Sequence, residues 1–169
     1  GVFDGSKSLF TILITLAVAV PAVASDDGGA DRYWPQWRGS LGTGVAPHAN
    51  PPVEWSETKN IRWKIELPGK GHSTPVIWGD RIFVTAAVPY GDALSPRDSD
   101  APGGHDELPI THRHKFVVMA VNRRDGNISF ELTVREELPQ AGGHYTASLA
   151  SHSPVTDGDQ VFAYFGAYW

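Results

Sequence analysis

One phrase occurs twice in this chain. Pro75-Val76-Ile77-Trp78-Gly79-Asp80-Arg81-Ile82-Phe83 returns as Pro154-Val155-Thr156-Asp157-Gly158-Asp159-Gln160-Val161-Phe162; each copy reads Pro-Val, two residues, Gly-Asp, one residue, a β-branched residue and Phe. The copies start 79 residues apart, at Pro75 and Pro154. An internal repeat constrains a fold more than composition does, because each copy must build the same local unit and the units must pack on one another. A second pair of runs supports it. Ile61, Trp63, Ile65 and Leu67 alternate with Arg62, Lys64 and Glu66, and Ile128, Phe130, Leu132 and Val134 alternate with Ser129, Glu131 and Thr133. Each run follows an asparagine, Asn60 or Asn127, and the runs start 67 residues apart. A period of two predicts strands with one buried and one wet face.

Strands of another kind lie between them. Residues 81–88 and 115–121 are apolar at successive positions, as in Phe116-Val117-Val118-Met119-Ala120-Val121, and such strands need cover on both faces. Asn122-Arg123-Arg124-Asp125-Gly126-Asn127 supplies an Asp-Gly turn that joins 115–121 to 128–134 as a hairpin. One unit then reads as strands near 74–78, 81–88, 115–121 and 128–134, with the first two beginning again at 153–157 and 160–165. The 18 glycines and 13 prolines fit many short strands joined by turns. The predicted fold class is all-β: four-stranded antiparallel meanders stacked face to face about an axis, a β-propeller of which this chain holds about one and a half blades. A β-sandwich also buries sheet faces, but it does not predict the ordered return of the same phrases.

The N-terminus predicts export. Lys7 precedes an apolar run over 9–20, which Pro21 ends ahead of the small-x-small pattern Ala22-Val23-Ala24. Residues 1–24 therefore read as a secretory signal peptide, with an uncleaved anchor as the alternative; the run is shorter than the roughly 20 residues that span a bilayer. The chain is expected in the periplasm or outside the cell, without a membrane span once the signal is removed. Residues 25–60 read as an extended strap pinned by tryptophans, and 61–169 as the start of the propeller. The sequence opens on Gly1, has Met119 as its single methionine and closes on an apolar run, which reads as the N-terminal fragment of a longer protein. No cysteine is present, so disulfides, thiolate metal sites, a cysteine nucleophile and a lipidated cysteine are excluded. A net charge of −5 argues against a nucleic-acid surface.

Ala120-Val121-Asn122-Arg123-Arg124-Asp125-Gly126-Asn127-Ile128-Ser129-Phe130-Glu131 resembles the blade signature of the quinoprotein-like β-propellers, the PQQ-like repeat proteins: an Ala-x-Asp/Asn strand, a turn ending in Gly, and a Trp on the outer strand. Phe130 stands where that Trp is usual, whereas the preceding outer run keeps Trp63. Trp34-Pro35-Gln36-Trp37-Arg38-Gly39 and Gly71-His72-Ser73-Thr74-Pro75 look like the opening of a secreted bacterial subgroup, so the resemblance covers 33–166. It implies a propeller of seven or eight blades when complete. It also implies one of two functions: a cofactor-free binding or scaffold module for an unknown protein or small molecule, or a dehydrogenase of alcohols or sugars using pyrroloquinoline quinone (PQQ) and calcium. No cofactor residue carries over.

In an up-and-down blade, alternate turns leave from the same end. The loop 89–114 and the connections 68–73 and 135–152 therefore share one rim, and six of the seven histidines fall there: His72, His105, His112, His114, His144 and His152. That rim is the candidate binding face. The two connections also rhyme, with Leu67-Pro68-Gly69-Lys70-Gly71-His72 answered by Leu138-Pro139-Gln140-Ala141-Gly142-Gly143-His144. Histidines beside the loop carboxylates could bind a metal or move protons, but no spacing is diagnostic; solvated or backbone-bonded histidines are the plainer reading. The insert 89–111 reads as a lid or as surface decoration, and Asp157-Gly158-Asp159 as hairpin-turn chemistry. No nucleophile elbow, Walker loop or His-Glu-x-x-His motif occurs.

Overall fold

The structure, a computed structural model, describes residues 29–98 and 108–166. The segment read as a signal peptide and His105 lie outside the described residues. The described chain is all-β, with one short 3-10 turn at Ala30–Arg32 and no α-helix. Strands β1 (Val76–Trp78), β2 (Arg81–Tyr90), β3 (Arg113–Asn122) and β4 (Ile128–Glu137) form an antiparallel sheet in the order β1-β2-β3-β4. Strands β5 (Val155–Thr156) and β6 (Val161–Phe162) form a second, two-stranded sheet. The repeated phrase thus builds the hairpin β1-β2 and again β5-β6: Val76 faces Phe83 in the first as Val155 faces Phe162 in the second.

The turn predicted between β3 and β4 closes with the Gly126 amide donating to the Asn122 carbonyl at 2.9 Å and the Arg124 amide to Asn122 Oδ1 at 2.8 Å. Gly126 has φ +78, a conformation that excludes most side chains. Registers Ile82↔Val121, Val84↔Met119 and Ala86↔Val117 set these side chains on one face of the sheet, and Phe83↔Ala120 and Ala87↔Phe116 put the others on the opposite face. Both faces of β2 and β3 are buried, as their double apolarity requires. Trp63 and Ile65 cover the first face. The start of the second repeat covers the other: Leu149, Ala150 and Phe165 pack around Phe116, and Val161 packs against Val76, Phe83 and Ala120.

Two expectations need correction. Residues 61–67 are extended but form no strand ladder among the described residues. They lie across the face of the sheet rather than along an edge, so side chains and not backbone bonds hold them: the Trp63 indole donates to the Arg123 carbonyl at 3.0 Å while Ile61 stays 45% exposed. The alternation of β4 also does not produce a buried face. Ile128, Phe130, Leu132 and Val134 are 41–52% exposed, because the elements that cover the sheet reach over β1–β3 only.

Of the strap tryptophans, Trp37 and Trp55 are exposed, and the strap is tied down by backbone bonds at Trp34 and Pro35. Trp34 makes a two-way backbone bridge with Ile77 (3.0 and 2.7 Å), and the next residue, Pro35, accepts from the Thr156 amide at 2.9 Å. One short stretch of strap therefore bonds to the first strand of both repeats. The segments leading into those strands are also bonded directly, the Thr74 amide donating to Ser153 Oγ at 2.9 Å.

Candidate functional site

The rim is built from three connections. The first, 68–73, is pinned to β2 by a two-way bridge between Lys70 and Ala87 (3.0 and 2.9 Å). Gly69 has φ +70, and a Cβ at Gly69 or Gly71 would collide with the β2 carbonyls of Ala87 or Thr85. Glycine lets this loop lie directly on the strand, which sets Lys70 and His72 at the mouth of the rim. The second connection is the insert after β2. Its described ends close on each other as a hairpin, Leu94 donating to the Thr111 carbonyl at 2.7 Å and Arg97 and Ile110 bridging at 3.1 and 2.8 Å. The third, 138–153, is tied to the other two: Leu108 donates to the Gly143 carbonyl at 2.9 Å, His72 to the Ala150 carbonyl at 3.1 Å, and the Arg97 guanidinium to the Pro139 carbonyl at 3.0 Å. The described part of the insert is thus a fastened wall and not a loose decoration.

Together the connections enclose a cavity of about 830 Å³, within the range of small-molecule sites. His72, His112 and His114 line it, beside Lys70, Tyr145 and Ser148. His112 Nδ1 pairs with Thr111 Oγ1 at 2.9 Å, and His114 Nδ1 donates to the His112 carbonyl at 3.1 Å. Partial burial depresses the pKa of His114 below the ordinary imidazole value; the His112 carbonyl bond opposes this and the neighbouring His112 ring adds to it. Burial therefore favours the neutral ring of His114, with its Nδ1 proton assigned to the His112 carbonyl and Nε2 left as an acceptor.

The other rim histidines stand apart. His144 sits beside the cavity, exposed, stacked on Tyr145 at 4.6 Å and bonded to Thr146 Oγ1 at 2.8 Å. His152 packs edge-on against Tyr164 at 4.7 Å, away from the lining. Sequence position alone grouped His144 and His152 with the lining histidines; the walls that separate them come from hydrogen bonds between connections, which leave no periodic signal. The reading also missed Lys70, whose role follows from the Gly-Lys-Gly context that presses its backbone onto β2.

Among the described residues no group of three or more His, Asp or Glu side chains is arranged to hold a metal ion. Calcium takes about six to eight oxygen ligands, carboxylates prominent among them; the rim lining offers imidazoles, an ammonium and hydroxyls. The described residues therefore do not fit the calcium-bound quinone that the resemblance implies, and no redox step is derived. Asp157-Gly158-Asp159 is a turn: Asp157 Oδ1 accepts from the Gln160 and Asp159 amides at 2.7 and 3.0 Å. No helix among the described residues is long and apolar enough to cross a membrane.

No family model, curated protein or solved structure matches the chain.

Proposed function

We propose that this chain belongs to an exported β-propeller similar to the PQQ-like repeat proteins and serves as a binding or scaffold module, with its ligand or partner on the loop rim. The observation that carries this reading is the convergence of both inter-repeat connections and the β2–β3 insert on one cavity lined by His72, His112 and His114. Three segments distant in sequence are held there by backbone hydrogen bonds, so the cavity is preformed, as binding sites in rigid scaffolds are. The propeller reading draws support from the recurring hairpins, from the contact between the first strands of successive repeats, and from cover on both faces of β2 and β3.

The test uses the full-length protein. Captured ligands or partners should be lost when His72, His112 and His114 are changed together to alanine, with the thermal transition retained; unchanged capture would remove the rim from the reading. A bound quinone chromophore, or dye reduction by alcohols or sugars with added quinone and calcium, would replace the scaffold assignment with the dehydrogenase one.

A further inference from the structure

The charged side chains among the described residues of the cavity lining are basic. The chain as a whole has 19 acidic residues against 14 Lys and Arg, yet the described lining residues include Lys70, His72, His112 and His114 and no aspartate or glutamate. Arg97 stands behind the wall, donating to the carbonyl of lining residue Pro139. The carboxylates nearest in the sheet register, Glu136 and Glu137 of β4, lie opposite Lys115 and His114. Neither lines the cavity, and both are engaged: Glu136 with Lys115 at 3.5 Å, Glu137 with Arg135. The remainder of the wall is largely hydrocarbon, from Leu108, Ile110 and Leu149, with hydroxyls at Thr111, Tyr145 and Ser148.

We propose that the rim cavity binds a small organic acid, its carboxylate held by Lys70 with the His72 and His112 imidazoles and its apolar body against Leu108, Ile110 and Leu149. This rests on the rim being a binding face and adds the chemical class of its ligand. The Lys70 ammonium favours an anion through charge-assisted hydrogen bonds, and the hydrocarbon wall gains by covering an apolar body. A cationic ligand would meet the like charge of Lys70, with no carboxylate among the described lining residues to offset it.

Four probes of graded chemistry test this on the full-length protein: hexanoate, hexan-1-ol, hexylammonium and inorganic phosphate, titrated by calorimetry while NMR follows the imidazole signals of His72, His112 and His114. Hexanoate should move those signals and bind roughly tenfold tighter than hexan-1-ol, the increment of one charge-assisted contact. Lys70→Gln and His112→Gln should each weaken hexanoate about fivefold with the melting transition unchanged. Equal binding of hexan-1-ol or hexylammonium overturns the assignment to an acid while leaving the rim a binding face. Phosphate binding as tightly as hexanoate overturns the apolar half of the proposal. Silence from all four probes overturns the inference outright, and the triple-alanine capture experiment then decides the rim separately.

Discussion

Three indole rings in this protein lie on three glycines. Trp34 rests on Gly39, Trp63 on Gly126 and Trp78 on Gly158, and each glycine has positive φ. A Cβ at Gly126 would come within 2.8 Å of the Trp63 ring, so two requirements coincide: a left-handed backbone and a flat surface for the indole. Trp63→Ala should cost about 2 kcal/mol, below the value for a fully buried aromatic because the ring is only half-buried. Gly126→Ala should cost about 2 kcal/mol through strain and collision together. In the Trp63→Ala background the glycine change should cost less, because only the backbone term remains; urea unfolding of the four variants measures that coupling. Asp157 offers a pH test. The amides of Gln160 and then Asp159 hold its carboxyl below the usual carboxylate range. A depressed pKa contributes stability above the unfolded carboxylate value, and the contribution is lost as pH falls through the folded one. Amide exchange at Asp159 and Gln160 should accelerate as pH falls through that acid window relative to the Asp157→Asn variant, once the intrinsic pH dependence is removed.

At the scale of elements, the strands built from the repeated phrase were legible and the outer runs only partly so. Residues 81–88 and 115–121 are apolar on both sides, a pattern with one structural solution, and β2 and β3 occupy them. Alternation in 61–67 marked which side chains turn inward, since Trp63 and Ile65 do pack on the core. It could not say whether a neighbouring strand would accept the backbone bonds. The same limit applies to β4, where alternation records a preference for burial and the local packing leaves it unmet. The rim was legible as a place, because up-and-down topology sends alternate connections to one end, but not as a cavity. Its walls depend on Gly69 and Gly71 lying against β2, which reads in sequence as ordinary loop composition. Gly71→Ala should push the 68–73 loop off the strand and destabilise by about 1–3 kcal/mol. It should also open the Lys70–Ala87 bridge, seen as faster exchange of the Lys70 and Ala87 amides, while β3–β4 amides stay protected.

Taken whole, the molecule presents a ten-residue strand at one edge of its larger sheet with four large apolar side chains half in water. Phe130 and Leu132 oppose Ala120 and Val118 in register, and they continue the face that the second repeat covers farther in. Exposed, apolar, unpaired edges recruit other strands. Residues 29–166 produced alone should therefore self-associate at micromolar concentration. Phe130→Lys with Leu132→Lys should shift the population toward monomer on a sizing column with little change in unfolding midpoint, because neither side chain is buried. A monomer that is already stable without those changes would show that the exposed row is tolerated.

The strap bridge also sets an order of events. Trp34 and Pro35 emerge before their backbone partners, Ile77 and Thr156, in any N-to-C vectorial process. The first bond can close only after β1 has appeared, and the second must await β5, about 120 residues later. Such long-range closures come late and slowly. The strap therefore acts as a latch in time: its Pro35 bond forms once the second repeat has docked on the first, and in a pulse-labelling experiment protection of the Thr156 amide should be among the last signals to mature.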